Sequence, residues 1–193
     1  MPSQPSIIAY LGQQLYDLAL VLKDQEHLTD SHGNPVGWLL DTRIPMLRGP
    51  IARQVGEQLA ARLRAAGITQ VAGYGFGAYP MVCAAVAAPG YPPLMGGFVR
   101  PKRKPYGRQR QVEGPIERDS PVVLLDDILN SGRNALSALR LLREDGFNVV
   151  GFMSIFEFTW SRGRHRLEQE GLWVDSLLEL NQGTSSGASS DSA

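Results

Sequence analysis

At 193 residues the chain is long enough for one sizeable core and short for two full domains. Its hydrophobic fraction of 43% and charged fraction of 20% are those of an ordinary soluble globular protein. Nineteen Lys and Arg balance nineteen Asp and Glu, so no overall field favours nucleic acid or an anionic membrane. The single cysteine, Cys83, excludes an internal disulfide framework and a Cys-rich metal site, and its place in MVCAAVAA predicts a small buried residue. No basic-then-apolar leader and no apolar run of about 18 residues is present, so the expected location is the cytoplasm.

In chain order, Ile7–Leu22 carries apolar residues at helical spacing and predicts an amphipathic helix. Thr29–Gly37 is rich in turn formers, and Trp38–Leu40 predicts a short strand ending at Asp41. A helix follows over Gly49–Ala66, stopped by Gly67. Val71–Tyr74 predicts a strand, Gly73–Pro80 a Gly-rich turn, Tyr79–Ala88 a helix and Gly97–Arg100 a strand. Pro101–Arg118 is polar, basic and aperiodic, as a long loop is. Pro121–Leu125 and Asn148–Phe156 are apolar strands around an Asn134–Glu144 helix, and Leu172–Leu180 is the last ordered piece. The tail over 183–193 has the composition of disorder. Strand and helix alternating through the middle predict an α/β fold. Its central parallel sheet is flanked by helices, with ligands at the carboxyl ends of the strands.

The turn after Pro121–Leu125 carries the chemistry. Val122–Leu125 runs into Asp126-Asp127, then Ile128-Leu129, then Asn130-Ser131-Gly132-Arg133-Asn134 at the start of a helix. Adjacent carboxylates repel unless something binds them, and vicinal sugar hydroxyls are suitable donors. The small polar turn at a helix N-terminus offers backbone N–H groups and a dipole that favour phosphate. A diol site followed at once by a phosphate site describes a ribose 5-phosphate. Helix capping alone accounts for one of the two acids, not both.

This segment resembles the phosphoribosyl-diphosphate (PRPP) loop of type I phosphoribosyltransferases, with Arg133 and Asn134 as mild departures from its usual Gly and Ser/Thr. Further segments resemble orotate phosphoribosyltransferases. Arg100, Lys102, Arg103, Lys104 and Tyr106 look like that family's flexible catalytic loop, whose basic residues reach the pyrophosphate, commonly across a dimer. Read without the family, the Lys and Arg crowded into Arg100–Arg110 already make a concentrated anion site in a neutral protein. Gly75, Phe76 and Gly77 fall in a turn similar to the pyrophosphate loop, where glycines let backbone N–H groups approach closely. Ser31-His32-Gly33 through Arg43 resembles the hood over the base, so one phosphoribosyltransferase-like domain is expected over 1–182, with a hood from 7–43 and 157–180.

The resemblance implies transfer of ribose 5-phosphate from PRPP to a nucleobase-like acceptor with loss of pyrophosphate, and Mg²⁺ held through PRPP. Asp126 and Asp127 would hold the ribose hydroxyls and stabilise the cationic ring. Lys102 and Lys104 would act with Arg100 and Arg103 on the diphosphate, excluding water. The alternative is a PRPP sensor without turnover. The three histidines, His27, His32 and His165, are scattered and give no transition-metal spacing. Two positions depart from the orotate pattern: Asp30 stands where a Lys is usual, and Phe158 or Thr159 where an Arg is. Trp38 and Trp160 offer stacking surface for another ring, or core packing.

Overall fold

A computed structural model describes residues 7–24, 26–29, 33–103, 107 and 110–181. Asp30, Ser31, His32, Lys104, Tyr106 and the 183–193 tail lie outside the described residues. The chain opens with α1 (Ile7–Ala19), β1 (Leu20–Leu22), β2 (Trp38–Leu40), α2 (Arg43–Met46) and α3 (Gly49–Ala65). It continues with β3 (Gln70–Tyr74), α4 (Ala78–Ala87), β4 (Met95–Val99), β5 (Val112–Glu113) and β6 (Val122–Leu129). The last elements are α5 (Arg133–Glu144), β7 (Val149–Phe158), α6 (Gly163–Gln169) and β8 (Trp173–Leu180).

The central sheet has the order β5-β4-β3-β6-β7-β8, and only the short edge strand β5 runs antiparallel. Val122–Leu125 is buried on both faces, as the continuous apolar run of a central parallel strand should be. Alternation sends Val123 and Leu125 to the layer of α1, α3 and α4, with Leu15, Leu59 and Met81. Val122 and Leu124 turn to the opposite layer, against Leu139 and Leu142 of α5 and Leu167 of α6. The chain moves outward from β3 to β4, then crosses back to β6 and continues the other way. Strand order therefore reverses between β3 and β6, which is where an open α/β sheet forms its ligand crevice.

Several expectations change here. Leu20–Leu22 leaves the predicted first helix and pairs antiparallel with Trp38–Leu40 in a small separate sheet. An LVL segment suits either state, and the partner strand decides it. The strand expected over Pro121–Leu125 runs on to Leu129, because β7 continues to pair with it. Trp173–Leu180, expected in the hood, is the edge strand of the central sheet. The aperiodic loop contains β5, and α2 and α6 are helices of four and seven residues, too short for a periodic pattern to announce them. Cys83 is exposed rather than buried, on a helix whose apolar residues surround it on all sides. Among the described residues no helix is long and apolar enough to cross a membrane.

Candidate active site

The two unusual turns emerge side by side at the carboxyl ends of β3 and β6. Pairing of β3 with β6 ends at Gly73 and Leu125, so from Asp126 onward β6 is bonded to β7 alone. The two carboxylates that follow take up backbone donors of their own strand. Asp127 N–H donates to Asp126 Oδ1 at 3.0 Å, and Ile128 N–H donates to Asp127 Oδ1 at 3.0 Å. Alternation along the strand separates them. Asp127 faces the hood, where Thr42 Oγ1 donates to its Oδ2, while Asp126 lines a cavity under the following turn. Burial, reinforced by the neighbouring charge of Asp127, pushes the Asp126 carboxyl well above the usual carboxylate range.

That cavity is about 230 Å³ and is lined by Asp126, Ile128, Leu129 and the whole turn Asn130, Ser131, Gly132, Arg133 and Asn134. The sequence-predicted loop is thus brought together around a space suited to a phosphate-sized group. Gly132 has φ +74° and sits immediately before α5, a conformation that a side chain would strain. The turn is also clamped from outside. Ser161 Oγ donates to the Asn130 carbonyl at 2.6 Å, and Arg166 Nη1 donates to the Ser131 carbonyl at 2.8 Å. With these carbonyls held by the α6 segment, the negative ends of two loop peptides point away from the cavity. Gly163 makes the close approach possible, since a Cβ there would overlap the Asn130 carbonyl.

On the β3 side, Gly75 has φ +87° and opens the turn into α4. Gly77 has ordinary helical angles; its lack of a side chain serves space, because a Cβ there would overlap the Asp127 carboxylate. Phe76, between them, is 81% exposed. Arg100 follows β4 with its Nε buried and without a hydrogen-bond partner among the described residues. Such a donor awaits an acceptor. Arg100 is held by its backbone, its N–H donating to the Gln111 carbonyl at 3.0 Å.

The basic loop is only partly gathered here. Lys102 is exposed, and Arg103 is not at the cavity: its Nη2 donates to Asp145 Oδ1 at 3.0 Å. Arg118 reaches the other oxygen of the same carboxylate at 3.2 Å, so this arginine has found an anion elsewhere. Lys104 and Tyr106 lie outside the described residues. Thr42, Ser161, Gly163 and Arg166 were not singled out as site residues from the sequence. Their partners stand 85, 31, 33 and 35 positions away, and no local pattern marks them.

No protein-family model matches the chain. It is 29% identical over 189 residues to an orotate phosphoribosyltransferase of Listeria monocytogenes, covering 92% of this chain and 85% of that one. Among solved structures it resembles orotate phosphoribosyltransferase of Mycobacterium tuberculosis H37Rv, solved in complex with Fe(III) dicitrate. That match has a TM-score of 0.78 and 26% identity, over 90% of this chain and 96% of the other. A phosphoribosyltransferase from Corynebacterium diphtheriae matches with TM-score 0.75 and 25% identity, over 89% and 95%. The chain therefore has the fold of type I phosphoribosyltransferases and is similar in sequence to orotate phosphoribosyltransferases over most of its length.

Proposed function

We propose that this enzyme transfers ribose 5-phosphate from PRPP to a nitrogen of a nucleobase-like ring, releasing pyrophosphate. The observation that carries the reading is the cavity of about 230 Å³ enclosed by Asn130–Asn134, with Asp126 on its wall. The 5-phosphate would sit there on the N-terminal N–H groups of α5. Asp126 and Asp127 would accept the ribose hydroxyls and, as anions, stabilise the positive charge that builds on the ring. Each carboxylate has acceptor capacity left after the bonds described above. The diphosphate would lie against Gly75–Gly77 and the buried Arg100 Nε. Lys102 and Lys104 would close over it, and Arg103 would exchange Asp145 for it.

Mg²⁺ fits this donor set. It takes oxygen ligands and normally relies on substrate phosphates and water rather than a protein cage, and two carboxylates stand beside the diphosphate position. When bound it supplies charge neutralisation for the leaving group. A non-catalytic sensor is not favoured, since the relatives are named as transferases.

The test is pyrophosphate release from PRPP and Mg²⁺ with a panel of bases headed by orotate, for which the relatives are named. Arg100→Ala should raise the PRPP KM about 10- to 100-fold, the worth of one charge-assisted hydrogen bond. PRPP failing to bind the native chain in calorimetry would overturn the donor assignment.

We further propose that the enzyme works as a homodimer, the basic loop completing the partner's site. The support is an apolar concavity of about 830 Å³ lined by Met46, Leu47, Phe76, Pro80, Cys83 and Ala84, next to the Gly75–Gly77 turn. Leu47 stands 77% exposed at its rim, an arrangement typical of association surfaces. Leu47→Asp should halve the mass measured by light scattering and lower activity. A native chain that is monomeric at assay concentration would refute it.

A further inference from the structure

The middle of β7 holds a hydroxyl with no partner in the fold. Ser154 is fully buried, and its Oγ makes no hydrogen bond among the described residues. A buried polar group left alone costs stability, so its retention calls for a reason. Only one other buried side-chain atom of the described residues is in this condition, the Arg100 Nε placed above against the diphosphate.

The register of the sheet decides what stands beside Ser154. Asp126 of β6, Ser154 of β7 and Ser176 of β8 are aligned across three neighbouring parallel strands. Alternation turns Asp126 and Ser154 to the same side. Each stands two residues beyond a side chain of the α5 layer, Leu124 in β6 and Phe152 in β7. Strands lie about 4.8 Å apart, so two aligned side chains on one face are a rotamer change away from a hydrogen bond. On the other flank Ser176 spends its one O–H on Glu157, at 3.0 Å, and Glu157 is held by Arg164 as well. The acceptor still in need of a donor is Asp126.

Its supply is meagre. Asp126 Oδ1 accepts the Asp127 N–H at 3.0 Å, and the charge acting on it is that of Asp127, of the same sign. Asp127 is better served, since Thr42 Oγ1 donates to it from the hood. No hydroxyl of the described residues does the same for Asp126, although one stands in register with it.

We infer that Ser154 is a positioning residue for Asp126. Its hydroxyl donates to the carboxylate when the sugar is bound and holds it in the rotamer that accepts the ribose hydroxyls. The inference rests on the PRPP reading above and adds to it a residue that touches no substrate. A hydrogen bond to an anion is among the stronger ones, and this one would form only with the ligand in place.

The test is Ser154→Ala, read by calorimetry with PRPP, ribose 5-phosphate and pyrophosphate. Affinity for PRPP and for ribose 5-phosphate should fall about tenfold or more, the effect of one hydrogen bond to a charged group. Pyrophosphate has no sugar to offer Asp126 and should bind as it does to the native chain. Ser154→Thr keeps the hydroxyl and should recover most of the lost affinity. Because the hydroxyl is unpaired in the free protein, Ser154→Ala should melt no lower than the native chain. Native affinity for both sugar phosphates in Ser154→Ala would overturn the inference and leave the donor site standing. So would a loss shared equally by pyrophosphate, or a lower melting temperature, either of which would make the hydroxyl a structural one. If the native chain binds neither sugar phosphate, the donor reading falls and takes this one with it.

Discussion

Replacing Asp126 and Asp127 together by Asn should abolish PRPP binding while making the protein more heat-stable. Loss of function follows from chemistry: a ribose hydroxyl donates more strongly to a carboxylate than to an amide oxygen, and each such bond contributes about 1.5–3 kcal/mol. Two of them make the expected loss at least about a hundredfold in Kd. The gain in stability follows from the sign of the Asp126 shift. Its carboxyl is raised in the folded chain by burial and by Asp127, so the charged form is disfavoured in the folded state relative to the unfolded one. That penalty is absent below the unfolded value of about 3.9, grows as pH rises through the raised folded value, and is constant above it. Asp126→Asn removes it. At neutral pH its Tm should exceed that of the native chain by roughly 2–4 °C for each kcal/mol recovered, and the difference should vanish below about pH 4. Calorimetric titration with PRPP and thermal melts at several pH values read the two effects separately. Unchanged PRPP affinity would refute the site, and a Tm that falls at neutral pH would refute the account of Asp126. The same shift predicts that PRPP binding weakens on acidification earlier than an ordinary carboxylate would allow.

How much of this was legible in the sequence depended on distance along the chain. The proposed PRPP loop is contiguous, so its order of apolar run, two acids and small polar turn was readable from Val122 to Asn134, and in the structure Asp126 and Ile128–Asn134 line one cavity. The central strands were equally plain, because residues buried on both faces leave no polar interruption. What escaped notice was assembled from afar. Thr42 reaches Asp127 across 85 positions, and the two clamps from the α6 segment cross 31 and 35. Arg103 is the instructive case. Its composition and neighbours mark an anion-binding loop, yet its charge is met by Asp145, 42 residues away, beside Arg118. A sequence shows that a cation is available, not which anion it has found. Cys83 fails for a related reason: every side of its helix is apolar, so exposure depends on where α3 stops covering it.

The largest loss of stability should come from a residue outside the proposed donor site, Arg164. Glu157 sits near the end of β7 with only 4% of its surface exposed, a place where a lone carboxylate is costly. Arg164 compensates it in a bidentate pair along one edge of its guanidinium, Nε donating to Oε1 at 2.7 Å and Nη2 to Oε2, while Ser176 Oγ donates to Oε2 at 3.0 Å. The remaining Nη1 holds the Val174 carbonyl at 2.7 Å, so one side chain joins β7, α6 and β8. The pairing also raises the Arg164 pKa, chiefly through its hydrogen bond to Glu157. Arg164→Met keeps the packing of the stem and leaves Glu157 buried without a counter-charge, which typically costs about 3–5 kcal/mol. At roughly 2–4 °C per kcal/mol the Tm should fall by about 10 °C or more. The double variant Arg164→Met with Glu157→Gln should recover much of it, since removing both charges is far cheaper than removing one. An Arg164→Met chain that melts within a degree or two of the native one at neutral pH would show that water, not Arg164, compensates Glu157.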